Sequence, residues 1–475
     1  MADLPQKPRP ARADTDPAPG NEQDFYAKRE KVYPREVHGV FARLRLAGVL
    51  TLLGIFYGAP WLTWNDRQAI WFDLPGRKFH IVGWTFWPQD FFLLALLLII
   101  AALSLFFFTA LAGRLWCGYA CPQTVWTEVV LWTERRLEGD RSKQMKLDRA
   151  PWTSRKIAIK GTKHTIWVLF SLITGITVVG YFSPITELLP RFFTLQTGGW
   201  ETFWILFYGF ATWGNAGFLR EQVCIYMCPY ARFQSAMFDR DTLVISYDEA
   251  RGEPRGARKR NVDPREKGLG DCIDCTLCVQ VCPTGIDIRE GLQYQCIGCA
   301  ACVDVCDDVM DRMSYPRGLI RYTTENAMEG RTTQVLRPRM VLYGLLLLVL
   351  VAGLLIGIAT RNPVGIDVMR DRNVLYRELP DGRVENVYRI KLMNKADVAR
   401  EYHVEIRGLP GAELVIDRRM PVSVPPGGVV EIPARVRMDP AMLDTPAAEV
   451  IFAARVEGDP DTGNERSGRF VGRMR

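Results

Sequence analysis

The sequence predicts a multidomain membrane protein: an α-helical transmembrane bundle of about five spans, a small cysteine-rich domain before the last span, and a C-terminal β-sandwich. Three observations carry this. Apolar residues fall in blocks long enough to cross a bilayer. Eight of the twelve cysteines are packed between Cys272 and Cys306. From residue 362 onward the chain turns to short alternating runs separated by turn residues.

The spans are expected at 46–64, 91–111, 164–184, 203–219 and 340–359. The second and fifth hold no charge over about 20 residues, the length a bilayer core requires. The fourth is short and contains glycine. Residues 1–40 are expected to form a disordered cytoplasmic N-terminus, since the first stretch is rich in Pro, Ala and charge and has no apolar core. For the same reason no signal peptide is expected. The remaining boundaries are a four-span membrane domain at 41–235, a cysteine domain at 236–335, a fifth span at 338–361 and an outer domain at 362–475.

Basic residues set the orientation. Six Lys or Arg lie in 21–45, three in 65–90, eleven in 112–163, one (Arg191) in 185–202 and seventeen in 220–339. The alternation places the N-terminus in the cytoplasm and the C-terminus outside. The net charge of +7 then reflects positive-inside loops, and the basic run Arg255 to Arg260 reads as a solvated linker near anionic headgroups. No nucleic acid is expected as a partner. Trp61, Trp64, Trp71, Trp84 and Trp87 read as an interfacial aromatic belt.

The dense cysteines read C-x-x-C-x-x-C-x-x-x-C-P (Cys272, Cys275, Cys278, Cys282, Pro283) and then C-x-x-C-x-x-C-x-x-x-C (Cys296, Cys299, Cys302, Cys306). This is the bacterial ferredoxin run written twice, and it implies two 4Fe-4S clusters and one-electron chemistry. In such pairs the fourth cysteine of each run serves the other cluster. Cys272, Cys275, Cys278 and Cys306 therefore belong to one cluster, and Cys282, Cys296, Cys299 and Cys302 to the other. Gly285 and Gly298 supply backbone freedom near the metal. Two zinc sites are the alternative, but zinc sites seldom carry three cysteines at successive two-residue gaps. Asp307 stands where the first run has Pro283, so the second loop is expected to exit differently.

The other four cysteines form a second pattern. Cys117 and Cys121 lie in RLWCGYACPQ, and Cys224 and Cys228 in EQVCIYMCPY. Both read C-x-Y-x-C-P after a pair of spans, so the membrane part reads as a two-fold repeat. A following proline suits the first position of a helix, which puts Cys121 and Cys228 at helix N-termini, where the dipole favours thiolate. Four such thiols suit Cu(I), zinc or another Fe–S centre, as one site or as two pairs, with Met227 as a further soft donor. The plain alternative is four small residues packing at helix ends.

Elsewhere the chain carries less chemistry. His38, His80, His164 and His403 are scattered, with no ligand spacing. Asp90 and Glu128 at span ends read as anchors before proton carriers. No phosphate-binding glycine loop or flavin fingerprint stands out. In the last domain, runs at 387–394, 402–408, 429–438 and 449–457 alternate with period two between turns at 380–382, 409–411 and 425–428. That pattern and length suit one antiparallel, immunoglobulin-like sandwich.

With these residues assembled, the chain resembles the cytochrome c oxidase accessory protein family (the FixG/CcoG group) over nearly its whole length. The membrane part is also similar to quinol-dehydrogenase membrane subunits with twin C-x-x-x-C-P motifs. The resemblance implies a multi-pass protein of the bacterial inner membrane, with the ferredoxin domain cytoplasmic and the sandwich periplasmic. It implies a role in assembling cbb3-type oxidase by reducing Cu(II) to Cu(I). Cys117, Cys121, Cys224 and Cys228 would handle copper, and the eight ferredoxin cysteines would carry electrons. The implied partners are oxidase subunits or copper-handling assembly proteins, and membrane lipid. Two other readings stay open: a carrier of electrons from membrane quinol, and a scaffold that docks partners through the sandwich. A homodimer has no specific sequence support.

Overall fold

Helices that bury little inside the protein yet are strongly apolar need hydrocarbon around them. In the computed structural model, which describes residues 31–260, 267–371, 374–396, 398–443 and 445–472, four helices are long and apolar enough to cross a membrane: Val40–Trp61, Pro88–Ala112, Ser154–Gly180 and Pro338–Ala359. Leu97, Leu98 and Ile99 on the second, and Leu342, Leu345 and Leu348 on the last, point away from the protein. Ser154–Gly180 differs, being half buried inside the structure over its apolar window.

The expected span at 203–219 is not one such helix. Its α-helical part, Gly199–Thr212, is 14 residues long and passes into a π-helical stretch, Trp213–Leu219. Three glycines at 209, 214 and 217 weaken the regular ladder there. They also let this segment lie close against Ser154–Gly180. A Cβ on Gly175 would collide with the carbonyl oxygen of Ile205, and one on Gly209 would stand 3.4 Å from that of Ser171. Small residues at such crossings are how helices pack in lipid.

The ends of these helices divide the molecule in two. At one end, a β-ribbon pairing Val244–Tyr247 with Ile320–Thr323 closes the cysteine domain into a loop. The segment just before the first spanning helix is fastened to it. Phe41 and Ala42 donate backbone N–H groups to Asp304 at 3.2 and 2.7 Å, and Arg35 donates to the carbonyl of Gln280 at 2.8 Å. Lys31 and Tyr33 bond Asp148 at 2.9 and 2.8 Å. Residues 31–39 are therefore ordered by packing, against the expectation for 1–40; residues 1–30 lie outside those described.

At the other end stand a three-stranded antiparallel sheet (Ile70–Asp73, Lys78–Ile81, Trp84–Phe86) and the C-terminal sandwich. One face of the sandwich runs Glu413–Ile416, Val429–Met438, Val384–Asn394, Val364–Arg370; the other runs Val422–Val424, Arg400–Arg407, Ala447–Val456, Asp459–Val471. Tyr388, Tyr402, Phe452 and Phe470 are wholly buried between them. Asp90, at the start of the second spanning helix, fastens this domain by ion pairs to Arg361 and, at 3.0 Å, to Lys395. Its role is anchoring. Trp61, Trp64 and Trp84 are exposed as an interfacial belt requires, but Trp87 is buried and Trp71 donates to the carbonyl of Phe182 at 3.0 Å. Trp71 lies in that three-stranded sheet and Trp87 directly follows its last strand.

Candidate electron-transfer site

Two cavities inside the cysteine domain sort its eight cysteines. One is lined by Cys272, Cys275, Cys278 and Cys306. The other is lined by Cys282, Cys296, Cys299 and Cys302, with Cys278 at its rim. Crossing of the fourth cysteines follows from the helices. Ala301–Met313 carries both Cys302 and Cys306, which it delivers to different cavities. The turns before them repeat. Asp274 and Thr276 flank Cys275 at φ 54° and 56°, and Gly298 and Ala300 flank Cys299 at 67° and 58°. Left-handed backbone at Thr276 and Ala300 is strained, and a loop curled around a rigid inorganic core would hold it.

Burial pushes the Cys278, Cys296 and Cys306 thiols up to about 12, and raises Cys299 and Cys302 as well. Such thiols are poor nucleophiles and need a metal to become thiolates. Among the described residues, no three His, Cys, Asp or Glu stand at the spacing of a single ion's ligands. A cube of four irons spreads its thiolates wider than one zinc does, so these residues fit clusters better than zinc. When bound, the clusters supply one-electron storage and transfer.

The C-x-x-x-C-P motifs lie at the same end, and their backbones repeat. Gly113 and Arg220, each four residues before the first cysteine, take φ 56° and 42°. Cys121 and Cys228 donate N–H bonds of 2.8 Å to the carbonyls of Trp116 and Val223, five residues back. Each then opens a helix with proline, Pro122–Glu138 and Pro229–Ser235. The copies differ in the turn between the cysteines, which is α-helical at Leu115–Tyr119 and π-helical at Val223–Met227. Cys121, Cys117 and Cys228 each act electrostatically on Cys224, so the two motifs face one another, while among the described residues no three of these thiols stand together as ligands of one ion.

At Cys121 burial outweighs the helix N-terminus. Burial raises Cys121 even though the backbone N–H groups of Gln123 and Thr124 oppose it. Cys117 is pushed up to about 11 and Cys224 to about 12, again by burial first. The Gln234 side chain, fully buried, donates to Cys117 Sγ at 3.5 Å. Met227 is exposed.

The two cysteine neighbourhoods touch. A Cβ on Gly118 would stand 2.8 Å from the carbonyl oxygen of Gly298 and 3.0 Å from Cys299 Cα. Tyr322 donates to that same Gly298 carbonyl at 2.5 Å, and its hydroxyl is 3.5 Å from that of Tyr119. Arg114 donates to the carbonyls of Tyr294, of Cys296 at 3.2 Å and of Ala231 at 2.6 Å. The second cluster's loop is thus the one against the membrane-side motifs, while Cys275 of the first is exposed.

Comparison with known proteins agrees. Residues 219–325 match the 4Fe-4S dicluster domain family and 94–139 a 4Fe-4S binding domain family. Residues 354–473 match the immunoglobulin-like fold found at the C-terminus of FixG. Protein RdxB of Cereibacter sphaeroides is 42% identical, over 90% of this chain and 92% of its own length. The chain belongs to the FixG family. RdxA of the same organism is 39% identical over 93% of this chain and 96% of its own, and the nitrogen fixation protein FixG of Rhizobium meliloti 36% over 86% of each. A crystal structure of a FixG-related protein from Vibrio parahaemolyticus corresponds to 24% of this chain and all of its own, at 28% identity and a TM-score of 0.22.

Within this FixG-family chain, sequence reasoning singled out all twelve cysteines but missed Arg114, Gly118, Gln234 and Tyr322. Arg114 looks like one more positive-inside residue after a span. Only the fold, joining it to carbonyls 180 and 182 positions away, gives it another role. His80 bonds Thr85 at 2.9 Å, and His164 stacks on Phe218. Glu128 is paired with Arg135 at 2.7 Å and Arg45 at 3.8 Å.

Proposed function

We propose that this iron–sulfur protein carries single electrons from its first cluster to its second and on to Cys117, Cys121, Cys224 and Cys228, where Cu(II) is reduced to Cu(I) for assembly of a cbb3-type oxidase. One observation supports this most: the Gly118 turn between Cys117 and Cys121 is seated on the Gly298–Cys299 turn of the second cluster's loop. One electron leaves the reduced protein and one Cu(II) becomes Cu(I). Copper binding must displace protons from Cys117, Cys121 and Cys224, whose thiols burial keeps protonated, so loading releases acid. Soft thiolates then hold Cu(I) in preference to Cu(II), and two of the four suffice for such an ion.

All twelve cysteines lie at one end with the basic loops, which supports placing that end in the cytoplasm. The sandwich is then periplasmic, where it would dock oxidase subunits or copper-handling assembly proteins. A second reading, with membrane quinol as the electron source, has its own support. A cavity beside Cys224 is lined by Arg45, Thr124 and Glu128 and reaches Pro283 and Thr284, next to Cys282.

The test is anaerobic Cu(II) reduction by detergent-purified protein with reduced clusters, against a variant with Cys117, Cys121, Cys224 and Cys228 changed to Ser. The variant is expected to keep both ferredoxin clusters and lose the reaction. Equal rates of Cu(I) formation would sink the copper reading. Reduction of the clusters by quinol in vesicles, with copper irrelevant to turnover, would favour the second.

A further inference from the structure

Arg114 is 7% exposed, and what surrounds it is unusual for a buried guanidinium. Its bonds go to three neutral carbonyls, those of Tyr294, Cys296 and Ala231, and its Nε has no partner. Among the described residues it makes no ion pair with a carboxylate. Three other arginines of this end do. Arg45 pairs with Glu128 at 3.8 Å, Arg220 with Glu134 at 2.8 Å, and Arg289, on the first cluster's cavity, with Asp287 at 2.7 Å and Asp274 at 2.5 Å. A buried charge needs a partner of opposite sign. Arg114 stands three residues before Cys117 and donates to the carbonyls of Cys296 and of Ala231, three residues after Cys228, and Cys117, Cys296, Cys224 and Cys228 all act electrostatically on it, so it meets both membrane motifs and the second ferredoxin run.

We propose that Arg114 is the counter-charge shared by the second 4Fe-4S cluster and by an anionic metal–thiolate centre at Cys117, Cys121, Cys224 and Cys228. Thiolates bound to metal supply the negative charge that the protein's own carboxylates do not. Because one cation faces both centres, their charges are coupled. Adding an electron to the second cluster draws on the same guanidinium that stabilises metal bound by the membrane-side thiolates. Arg114 is a positioning residue in this sense: it touches the cluster loop's carbonyls and sets the field in which the electron moves. The inference rests on the cluster reading of the ferredoxin cavities and does not require that the metal be copper.

The measurement is an anaerobic, dye-mediated reductive titration of the full-length detergent-solubilised protein, with the two clusters resolved by electron paramagnetic resonance. Arg114→Gln is expected to shift one cluster to more negative potential and leave the other in place. Arg114→Lys, which keeps the charge, is expected to restore most of the shift. Arg258 is the control. It bonds the carbonyl of Cys272 at 3.2 Å near the first cluster but is partly exposed, so water shares its charge, and Arg258→Gln should move its cluster less. Unmoved potentials in an Arg114→Gln protein with full iron and sulfide overturn the proposal. If the glutamine variant loses its clusters, Arg114→Lys decides: a retained potential supports the shared charge and a displaced one refutes it. Titrating Cu(I) into wild type separates this inference from the copper reading. Binding of Cu(I) with a negative shift of the same cluster supports both, and binding without a shift refutes the coupling. Absence of binding refutes copper alone, with the variant comparison still deciding Arg114.

Discussion

At the sandwich end, Tyr388, Tyr402, Phe452 and Phe470 fill the space between two sheets, and Ile390, Leu392 and Ile432 complete the layer. At the cysteine end the apolar clusters are built around Cys272, Cys278 and Cys299, with short helices and, among the described residues, one two-stranded ribbon. The first arrangement buries large side chains that need nothing further. The second buries thiols that gain little until a metal takes their protons, and holds left-handed backbone at Thr276 and Ala300. The difference teaches which half of the molecule is independent of its cofactor and which is completed by it.

The largest expected effect follows from that contrast. Anaerobic removal of iron should unfold the region between the paired strands Val244–Tyr247 and Ile320–Thr323, because metal binding there is folding free energy. Hydrogen exchange should show protection lost around Cys272–Cys306 and kept in the strands Val384–Asn394 and Ala447–Val456. Equal protection at both ends after iron removal would break the comparison.

The converse perturbation is smaller. Phe452 is wholly buried and its ring lies 4.9 Å from that of Tyr388. Phe452→Ala should destabilise the sandwich by about 3–5 kcal/mol, the usual cost of emptying an aromatic site in a packed core. Both cluster signals should survive at full intensity. Cluster loss in that variant would mean that the ends fold as one unit.

What could be read in advance was what is encoded locally. Cluster ligands recur at two- and three-residue gaps, so a short window of sequence suffices to propose them, and each cavity is lined by one proposed set of four, with Cys278 also at the rim of the second. The C-x-x-x-C-P repeat was legible for the same reason. Alternation exposed four strands, yet Val364–Arg370 and Asp459–Val471 went unread. The latter pairs along its length with Ala447–Val456 while its own sequence, with two glycines and several charges, lacks an apolar alternation. The fourth expected span is not one α-helix of spanning length: after 14 residues, where its glycines cluster, it passes into a π-helical stretch. Arg114 and Gln234 were invisible because their roles arise from segments more than a hundred positions apart.

The smallest expected effect sharpens the comparison at the sandwich end, which answers to pH rather than to metal. His80 is buried in the sheet Ile70–Asp73, Lys78–Ile81, Trp84–Phe86, stacked on Trp71 and bonded to Arg67 and Thr85. The Thr85 carbonyl in turn accepts a bond of 2.5 Å from Arg361 at the foot of the sandwich. Burial first, then the nearby cations Arg67 and Lys78, lower the His80 pKa to about 4, with Asp73 opposing. In an unfolded chain it titrates near 6.5. The folded state therefore binds the proton less well, so this group's contribution is fully present above about pH 6.5 and is lost as pH falls from there toward 4. Thermal unfolding of the sandwich end should drop between pH 7 and pH 5 in wild type, and drop less in His80→Gln, which cannot gain the charge. The cluster signals should be indifferent to His80→Gln at both values. A variant as pH-sensitive as wild type would assign the acid response to other groups, and leave His80 as a hydrogen-bonding post beneath Arg361.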